Sequence, residues 1–116
     1  MSTLKGSRQK FSPKHPTMLD IAWAAGIYEG EGHCRCDHGA IRVIVVQKDP
    51  WLLHRLASKF GGTVGDYRQT RNVCCEWKIY GPRAKGFLMT IFSFLSPRRR
   101  GQIVAALEQH GESYAA

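Results

Sequence analysis

Apolar positions recur along the first half of the chain with two different periods, and these distinguish a predicted helix from predicted strands. Leu19, Trp23 and Ile27 recur every four residues, which predicts an amphipathic first helix. Strict alternation over 33–37 and 40–47 then predicts two strands that form a hairpin. One face of this hairpin is apolar, whereas the other carries polar and basic side chains.

The same order of elements returns in the second half and ends in two further helices. The elements predicted there are a helix from Pro50, strands over 63–68 and 73–80, a helix from Gly81 through Phe94, and a helix from Pro97 to near Gly111. Four antiparallel strands backed by helices give a two-layer α+β fold of the order α-ββ-α-ββ-α-α.

The length of 116 residues allows one domain with one core. Pro13 and Pro16 interrupt a basic N-terminal stretch, so residues 1–16 are predicted to be a flexible basic arm. Residues 17–111 form the predicted domain, and 112–116 a short C-terminal tail.

Charge is high and unevenly distributed. The chain has 17 Lys and Arg against 9 Asp and Glu, a formal net charge of +8, which favours a polyanionic partner. Residues 18–32 run against this trend, since they carry Asp20, Glu29 and Glu31 and no base. Such an acidic cluster is costly near a polyanion unless a cation neutralises it.

Composition also argues against a membrane protein and a secreted one. No apolar run approaches the 18 residues of a membrane span. The four cysteines are not spaced as C-x-x-C, so a structural zinc site is not favoured, and the polar, basic N-terminus does not resemble a signal peptide. We expect reduced thiols in a protein that is not secreted.

The segment 23–32 carries the most specific chemical signal. Small residues line a helix that ends at Glu31 and leads directly into a strand. Glu29 and Glu31 are two residues apart and do not face each other on a helix, which excludes the paired carboxylates of a glycosidase. The glycines close a helix rather than open one, which excludes a phosphate-binding loop. A carboxylate at the negative end of a helix dipole instead favours a divalent cation.

The same segment resembles a known family. Ala24 to Gly32, read Ala-Ala-Gly-Ile-Tyr-Glu-Gly-Glu-Gly, resembles the nine-residue motif of the LAGLIDADG homing endonucleases, with Ala for the first Leu and Glu for both Asp. Three later segments resemble the family in the same order, and the resemblance covers roughly 18–107. They are Val46-Gln47-Lys48-Asp49, Phe60-Gly61-Gly62, and the basic run from Phe94 to Gln102.

The resemblance implies a metal-dependent endonuclease and assigns its active-site residues. Glu31 takes the place of the metal-binding acid, with the carbonyl of Gly30 as a second ligand. Gln47 matches a residue that organises water near the cleaved phosphate. Arg98 matches the basic residue that stabilises the charge developing near the cleaved phosphate, and Arg99 is the alternative for this role. The implied cofactor is Mg²⁺, with Mn²⁺ or Ca²⁺ as substitutes in binding, and no small-molecule substrate is expected.

A chain with one motif implies a homodimer that binds a long, palindromic or near-palindromic site in double-stranded DNA. The predicted dimer interface consists of Ala22, Ala25, Gly26 and Glu29. The predicted DNA-binding residues, each as a base or phosphate contact, are His33, Arg35, Asp37, Arg42, Ile44, Arg68, Glu76, Lys78, Arg99 and Arg100.

The motif and the basic charge are also compatible with functions other than DNA cleavage. An intron RNA maturase or a catalytically inactive DNA-binding regulator would have the same fold and charge. A small basic ribosome-associated domain would explain the charge but not the small-residue helix that ends at Glu31. A homing endonuclease would be cytoplasmic or organellar, depending on the intron, intein or free-standing gene that encodes it.

Overall fold

The computed structural model describes residues 8–12, 14–69 and 72–115, and the side chains of all of these except 67–69, 72–73 and 112–115. Within them the strands are β1 (Gln9–Phe11), β2 (Gly32–Asp37), β3 (Ala40–Gln47), β4 (Gly62–Gln69) and β5 (Asn72–Tyr80). The helices are α1 (Met18–Glu31), α2 (Pro50–Phe60), α3 (Gly81–Ile91) and α4 (Pro97–Ala115), with a 3-10 turn at Phe92–Phe94.

Local sequence signals explain where the first two helices begin. The Thr17 side chain accepts from the backbone N–H of Asp20, and the Asp20 carboxylate accepts from that of Thr17, which is a complete capping box. At α2 the Asp49 side chain accepts from the backbone N–H of Trp51, and Pro50 occupies the first turn. Gly61 ends α2 with a φ of 79°, which glycine adopts without strain.

The strands form one antiparallel sheet in the order β1-β4-β5-β3-β2, so the mixed α+β architecture is confirmed. The sheet has five strands rather than the predicted four. The additional strand, Gln9–Phe11, pairs with the edge of β4 through Gln9 opposite Val64 and Lys10 opposite Thr63. Its three residues are too short a run for an alternating pattern to be recognised in a basic segment.

Two helix ends also differ from the predictions. The third helix ends at Ile91 and tightens into the 3-10 turn at Phe92–Phe94, whereas the sequence pattern predicts a helix through Phe94. The last helix passes Gly111 and ends at Ala115. A helix therefore continues into the predicted tail at 112–116, whose side chains lie outside the described residues together with Ala116.

All helices pack on one face of the sheet, and the core lies between the two layers. Ile41, Val43 and Val45 of β3 are buried in it, as their alternation predicted. Trp77 of β5 lies at its centre, fully buried, with Nε1 donating to the carbonyl of Gly61 at 2.8 Å and its ring edge-on to Phe87 at 5.1 Å. The opposite face of the sheet is therefore left uncovered by helices.

No helix in the described ranges has the length and hydropathy to cross a membrane. Cys34, Cys36, Cys74 and Cys75 are all free thiols, each partly buried.

Candidate functional site

The uncovered face of the sheet brings the predicted surface residues into rows across the strands. The pairing register places His33 opposite Ile44, and Ile44 opposite Lys78. In the next row Arg35 lies opposite Arg42. Residues from three strands thus form one continuous polar and basic surface, because alternate side chains of a strand share a face.

A shallow groove of about 580 Å³ runs along this surface and ends at the C-terminus of α1. Its lining residues are Glu31, His33, Arg35, Arg42, Ile44, Val46, Glu76 and Lys78. All of these except Val46 belong to the catalytic or DNA-binding residues predicted from the sequence. The structure thus places these residues along one face of the sheet, whereas Gln47, Arg98, Asp37, Arg99 and Arg100 do not line the groove. Their roles stay predictions.

Asp37 organises the basic residues at one end of the groove. Its carboxylate lies 3.3 Å from Arg42 Nη1 and 3.7 Å from Arg35 Nη2, so it separates two arginines that lie opposite each other. Arg42 Nε is buried and has no hydrogen-bond partner among the described residues. The pKa of His33 is lowered, first by burial and then by Arg35 and Arg42, which favours a neutral imidazole in the groove.

Glu76, a predicted DNA contact, is paired with basic side chains of its own chain. It is 5% exposed, and its Oε1 lies 3.1 Å from Arg8 Nη1 and 3.4 Å from Lys78 Nζ. The carboxylate is therefore already paired with two cations. Nothing in the local sequence pattern marked Arg8 as its partner, since the two residues are 68 positions apart.

Glu31 is the last residue of α1 and lies exposed at the end of the groove. In the part of the chain that the structure describes, no hydrogen bond or ion pair engages its carboxylate. The last turn of α1 itself contains no basic residue, and the cation at this helix end is Arg99 of α4, which donates to backbone carbonyls rather than to the Glu31 carboxylate. Glu31 is thus an exposed carboxylate at a helix end, with no ion-pair partner among the described residues, and its role as a metal ligand stays a prediction.

Glu29, by contrast, is fully engaged within its own chain. Its two carboxylate oxygens accept from the backbone N–H and the hydroxyl of Ser96, at 2.8 and 2.7 Å. The Ser96 hydroxyl also accepts from the N–H of Arg99, so Ser96 is the N-cap of α4. These hydrogen bonds, with the nearby Arg99 and Arg98, hold the pKa of Glu29 below its usual range.

The three consecutive arginines occupy different environments in the first turn of α4. Arg99 donates to the carbonyls of Glu29 and Gly32, at 3.0 and 2.8 Å, and so caps the end of α1 on both sides of Glu31. Arg98 is exposed, and Arg100 is partly buried. Arg99 is thus the arginine tied to the backbone beside Glu31, whereas Arg98 is the one with a solvent-exposed side chain.

Gln47 is the last residue of β3 and lies opposite Cys75 of β5. The pairing between β2 and β3 begins at Gly32 with Val45, so Gln47 lies two residues past that pair. Arg68 lies in β4 opposite Val73, but its side chain is outside the described residues.

The exposed side of α1 carries part of the predicted interface. Leu19 is 82% exposed, and Ala22 and Gly26 lie exposed on the same side of the helix. Ala25 is buried in the chain's own core, because the helix is rotated so that Ala24, Ala25 and Tyr28 face the sheet. Ala25 is therefore not part of this exposed face, and Glu29 faces α4.

No protein-family profile matches the chain, and no curated protein matches its sequence significantly. Solved structures that are similar to it include two of the same homing endonuclease. One is the homing endonuclease I-CvuI in complex with its target Sro1.3 in the presence of 2 mM Ca, with a TM-score of 0.57 and 19% identity. The other is I-CvuI in complex with the I-CreI target C1221 in the presence of 2 mM Mg, with the DNA not cleaved, at a TM-score of 0.56 and 19% identity.

Each alignment covers 80% of this chain and 66% of the other, so the matched region spans just under two thirds of the I-CvuI chain. The chain therefore has the fold of a homing endonuclease, and the resemblance predicted from the motif at 24–32 is confirmed at the level of fold.

Proposed function

We propose that this chain, which has the fold of a homing endonuclease, is a site-specific DNA endonuclease that hydrolyses phosphodiester bonds with divalent metal as a homodimer. One observation carries the proposal. The exposed Glu31 carboxylate, without a partner among the described residues, opens into a groove whose other walls hold Arg35, Arg42 and Lys78. A pure polyanion-binding surface would gain nothing from an uncompensated acid at this position, whereas a metal-dependent nuclease requires one.

The groove suits duplex DNA as substrate. The Arg and Lys side chains that line it can donate hydrogen bonds to guanine edges or to phosphates. Ile44 offers an apolar contact to a thymine methyl group. I-CvuI was itself crystallised in complex with DNA targets, which supports the same substrate here.

The donors at the end of α1 have the right chemistry for Mg²⁺ but are too few in one chain. No group of three or more His, Cys, Asp or Glu side chains that could hold a metal occurs among the described residues. Mg²⁺ is usually bound by one or two carboxylates, with water and substrate phosphates completing its coordination. Glu31 with the Gly30 carbonyl, the same pair from a second chain and a DNA phosphate would meet that need.

Each active-site residue then has a defined task. Bound Mg²⁺ would make a water nucleophilic at neutral pH and offset charge on the phosphate. Glu31 and the carbonyl of Gly30 would hold it, Gln47 would orient water at the end of β3, and Arg98 would face the charge that develops on the phosphate. Arg99 would cap the C-terminus of α1 through the carbonyls of Glu29 and Gly32. The position of the Glu31 carboxylate would then be fixed before DNA binds.

The homodimer accounts for the small residues on the outer side of α1. A Cβ added to Gly26 or Gly30 would meet no atom within 4 Å, so neither glycine is required by packing inside this chain. Each costs about 1 kcal/mol in a helix relative to Ala. Close packing against the same helix of a second chain would offset that cost and bring two Glu31 residues together across a two-fold axis.

Selection from a randomised duplex library tests the activity directly. We expect the wild-type protein to cleave a restricted set of sites with Mg²⁺. Glu31→Gln should bind the same sites and cleave none. Glu108→Gln, which removes an equally exposed carboxylate from α4, is the matched control and should cleave normally.

Three results would contradict the proposal. Selective binding without cleavage by the wild type would support the regulator, and preferential binding of structured RNA would support the maturase. Full activity of Glu31→Gln would remove Glu31 from the active site.

A further inference from the structure

The short strand β1 places Lys10 on the same sheet face as the groove. Phe11 is partly buried against the core, with its ring edge-on to His54 at 5.7 Å, so the inward side of β1 is anchored. Lys10 lies opposite Thr63, which lies opposite Lys78. Lys10 thus continues the row that crosses the groove through Lys78, Ile44 and His33.

Arg8 fixes this strand by reaching across the outer face of β4 and β5. It donates to the Thr63 hydroxyl at 2.9 Å, to the Glu76 carboxylate at 3.1 Å and to the Glu76 carbonyl at 3.0 Å. Gly65 leaves room for it, since a Cβ at that position would lie 2.7 Å from Arg8 Cγ. Gly65 leaves space for the Arg8 side chain, and the buried Glu76 carboxylate accepts its hydrogen bond. The position of Arg8 therefore depends on residues of β4 and β5 as well as on its own segment.

The width of the sheet sets what the outermost strand can reach. Strands lie about 4.8 Å apart, so five of them span roughly 19 Å. The major groove of B-DNA is about 12 Å wide. If the strands run along the major groove with β5 at its centre, the edge strand β1 lies about 10 Å from that centre, over the sugar–phosphate backbone.

Lys10 has the properties of a backbone contact. Its side chain is exposed, and no hydrogen bond or ion pair engages its ammonium group among the described residues. An ammonium group on a flexible stem suits phosphate better than a defined base edge.

Resting on the endonuclease function above, we propose that β1 extends the DNA-binding face, with Lys10 contacting a backbone phosphate outside the base-reading groove and Arg8 acting as its positioning residue. Arg8 also pairs with Glu76, which lowers the repulsion that this acid would otherwise exert on the duplex.

Salt dependence of binding to a random-sequence duplex of about 40 base pairs tests the role of Lys10. The slope of log Kobs against log salt changes by about 0.9 for each phosphate that the protein no longer neutralises. We expect Lys10→Gln to reduce the slope by that amount per protomer. Lys85→Gln removes one exposed charge from α3, on the helical side, and should leave the slope unchanged.

The outcomes separate this inference from the proposed function. If the wild type binds and cleaves DNA but Lys10→Gln retains its slope, or Lys85→Gln reduces the slope equally, the inference is wrong and the endonuclease stands. If the wild type neither binds nor cleaves duplex, the endonuclease is wrong and the inference falls with it.

Gly65→Ala tests the positioning role of Arg8, because the new methyl group displaces the Arg8 side chain without removing any charge. We expect Gly65→Ala to reduce the slope of log Kobs against log salt, because Lys10 no longer reaches its phosphate. The double variant Gly65→Ala/Lys10→Gln should then show no further reduction of the slope. A purely structural contact would change thermal stability but leave the two effects additive, and additivity would overturn the positioning role.

Discussion

Arg99 donates from Nε to the backbone carbonyl of Glu29 at 3.0 Å and so ties the start of α4 to the end of α1. The carboxylate of the same Glu29 accepts from the backbone and hydroxyl of Ser96, at the N-terminus of α4. Each helix therefore supplies the cap of the other, with an anion at the positive end of one dipole and a cation at the negative end of the other. Because Glu31 follows Glu29 by two residues, this exchange fixes where the exposed carboxylate lies.

Removing the serine at this junction should destabilise the fold. Ser96→Ala deletes the hydroxyl that donates to Glu29 and accepts from the N–H of Arg99. We expect the free energy of unfolding to fall by about 1 kcal/mol, the usual effect of losing an N-cap. Urea denaturation measures it. Ser93→Ala, at an exposed position two residues before Leu95, is the control and should change little; equal losses in both variants would mean that Ser96 is not a cap.

The Glu29 junction should also make stability depend on pH in the acidic range. Hydrogen bonds from Ser96 and then the charges of Arg99 and Arg98 hold the pKa of Glu29 below its ordinary value of 4.5. The unfolded state then binds more protons at acidic pH, so the contribution of Glu29 is complete above 4.5 and is lost as the pH falls through the lower folded-state pKa.

Denaturation of the wild type and of Glu29→Gln from pH 7 down to pH 3 measures this contribution. The wild type should be more stable at neutral pH, and the difference should shrink below about pH 4.5. A difference that stays constant with pH would show that the Glu29 charge has no part in it. Glu108→Gln, at an exposed position on α4, provides the baseline.

Short-range patterns predicted the order of the elements and the two faces of the sheet. Alternation alone assigned Ile41 and Val43 to the apolar face of the sheet and Arg42 to the opposite face, because every second residue of a strand points to the same side. In the structure Ile41 and Val43 are buried in the core and Arg42 lines the groove. β1 was not predicted, because three residues are too few to show an alternating pattern. Arg8 holds this strand through hydrogen bonds to Thr63 and Glu76, which are 55 and 68 positions away in the sequence.

The roles of neighbouring residues around Glu31 depended on helix rotation, which the motif does not specify. Ala25 and Gly26 were both predicted to lie in the dimer interface, but Tyr28 packs in the core and Ala25 is buried beside it. Likewise Arg98 and Arg99 are equivalent in the sequence run. Only the start of α4 at Pro97 decides that Arg99 meets the end of α1 while Arg98 stays exposed. The catalytic roles of Glu31, Gln47 and Arg98 remain predictions.

Gly32, immediately after Glu31, is required by packing rather than by its backbone angles. Its φ of −79° is open to any residue, but a Cβ there would overlap the buried ring of Tyr28. We expect Gly32→Ala to lower the free energy of unfolding by about 1 to 3 kcal/mol, as overpacked core sites do. Thermal denaturation measures the change. Gly101→Ala, at a helical position with no atom within 4 Å of the added Cβ, should be neutral or stabilising, and similar losses in both would contradict the packing argument.

Gly26 should respond to substitution in opposite ways in the monomer and the proposed dimer. No atom of its own chain lies within 4 Å of an added Cβ, so Gly26→Ala should stabilise the isolated fold by up to about 1 kcal/mol. In a dimer packed through α1, the same methyl group would hold the two helices apart and weaken association. We therefore expect Gly26→Ala to raise resistance to urea at low protein concentration while shifting sedimentation at micromolar concentration toward the monomer.

Gly86 supplies the matched control for this pair of effects. It is an exposed helical glycine of α3, with equal space around its Cβ position and no place in the proposed interface. Gly86→Ala should raise stability and leave sedimentation unchanged, because only helix propensity is altered. If Gly26→Ala behaves in the same way as Gly86→Ala, with the dimer intact, α1 does not form the two-fold contact. The two Glu31 carboxylates would then lie too far apart to share a metal-binding active site, and each chain would have to complete its metal site with other ligands.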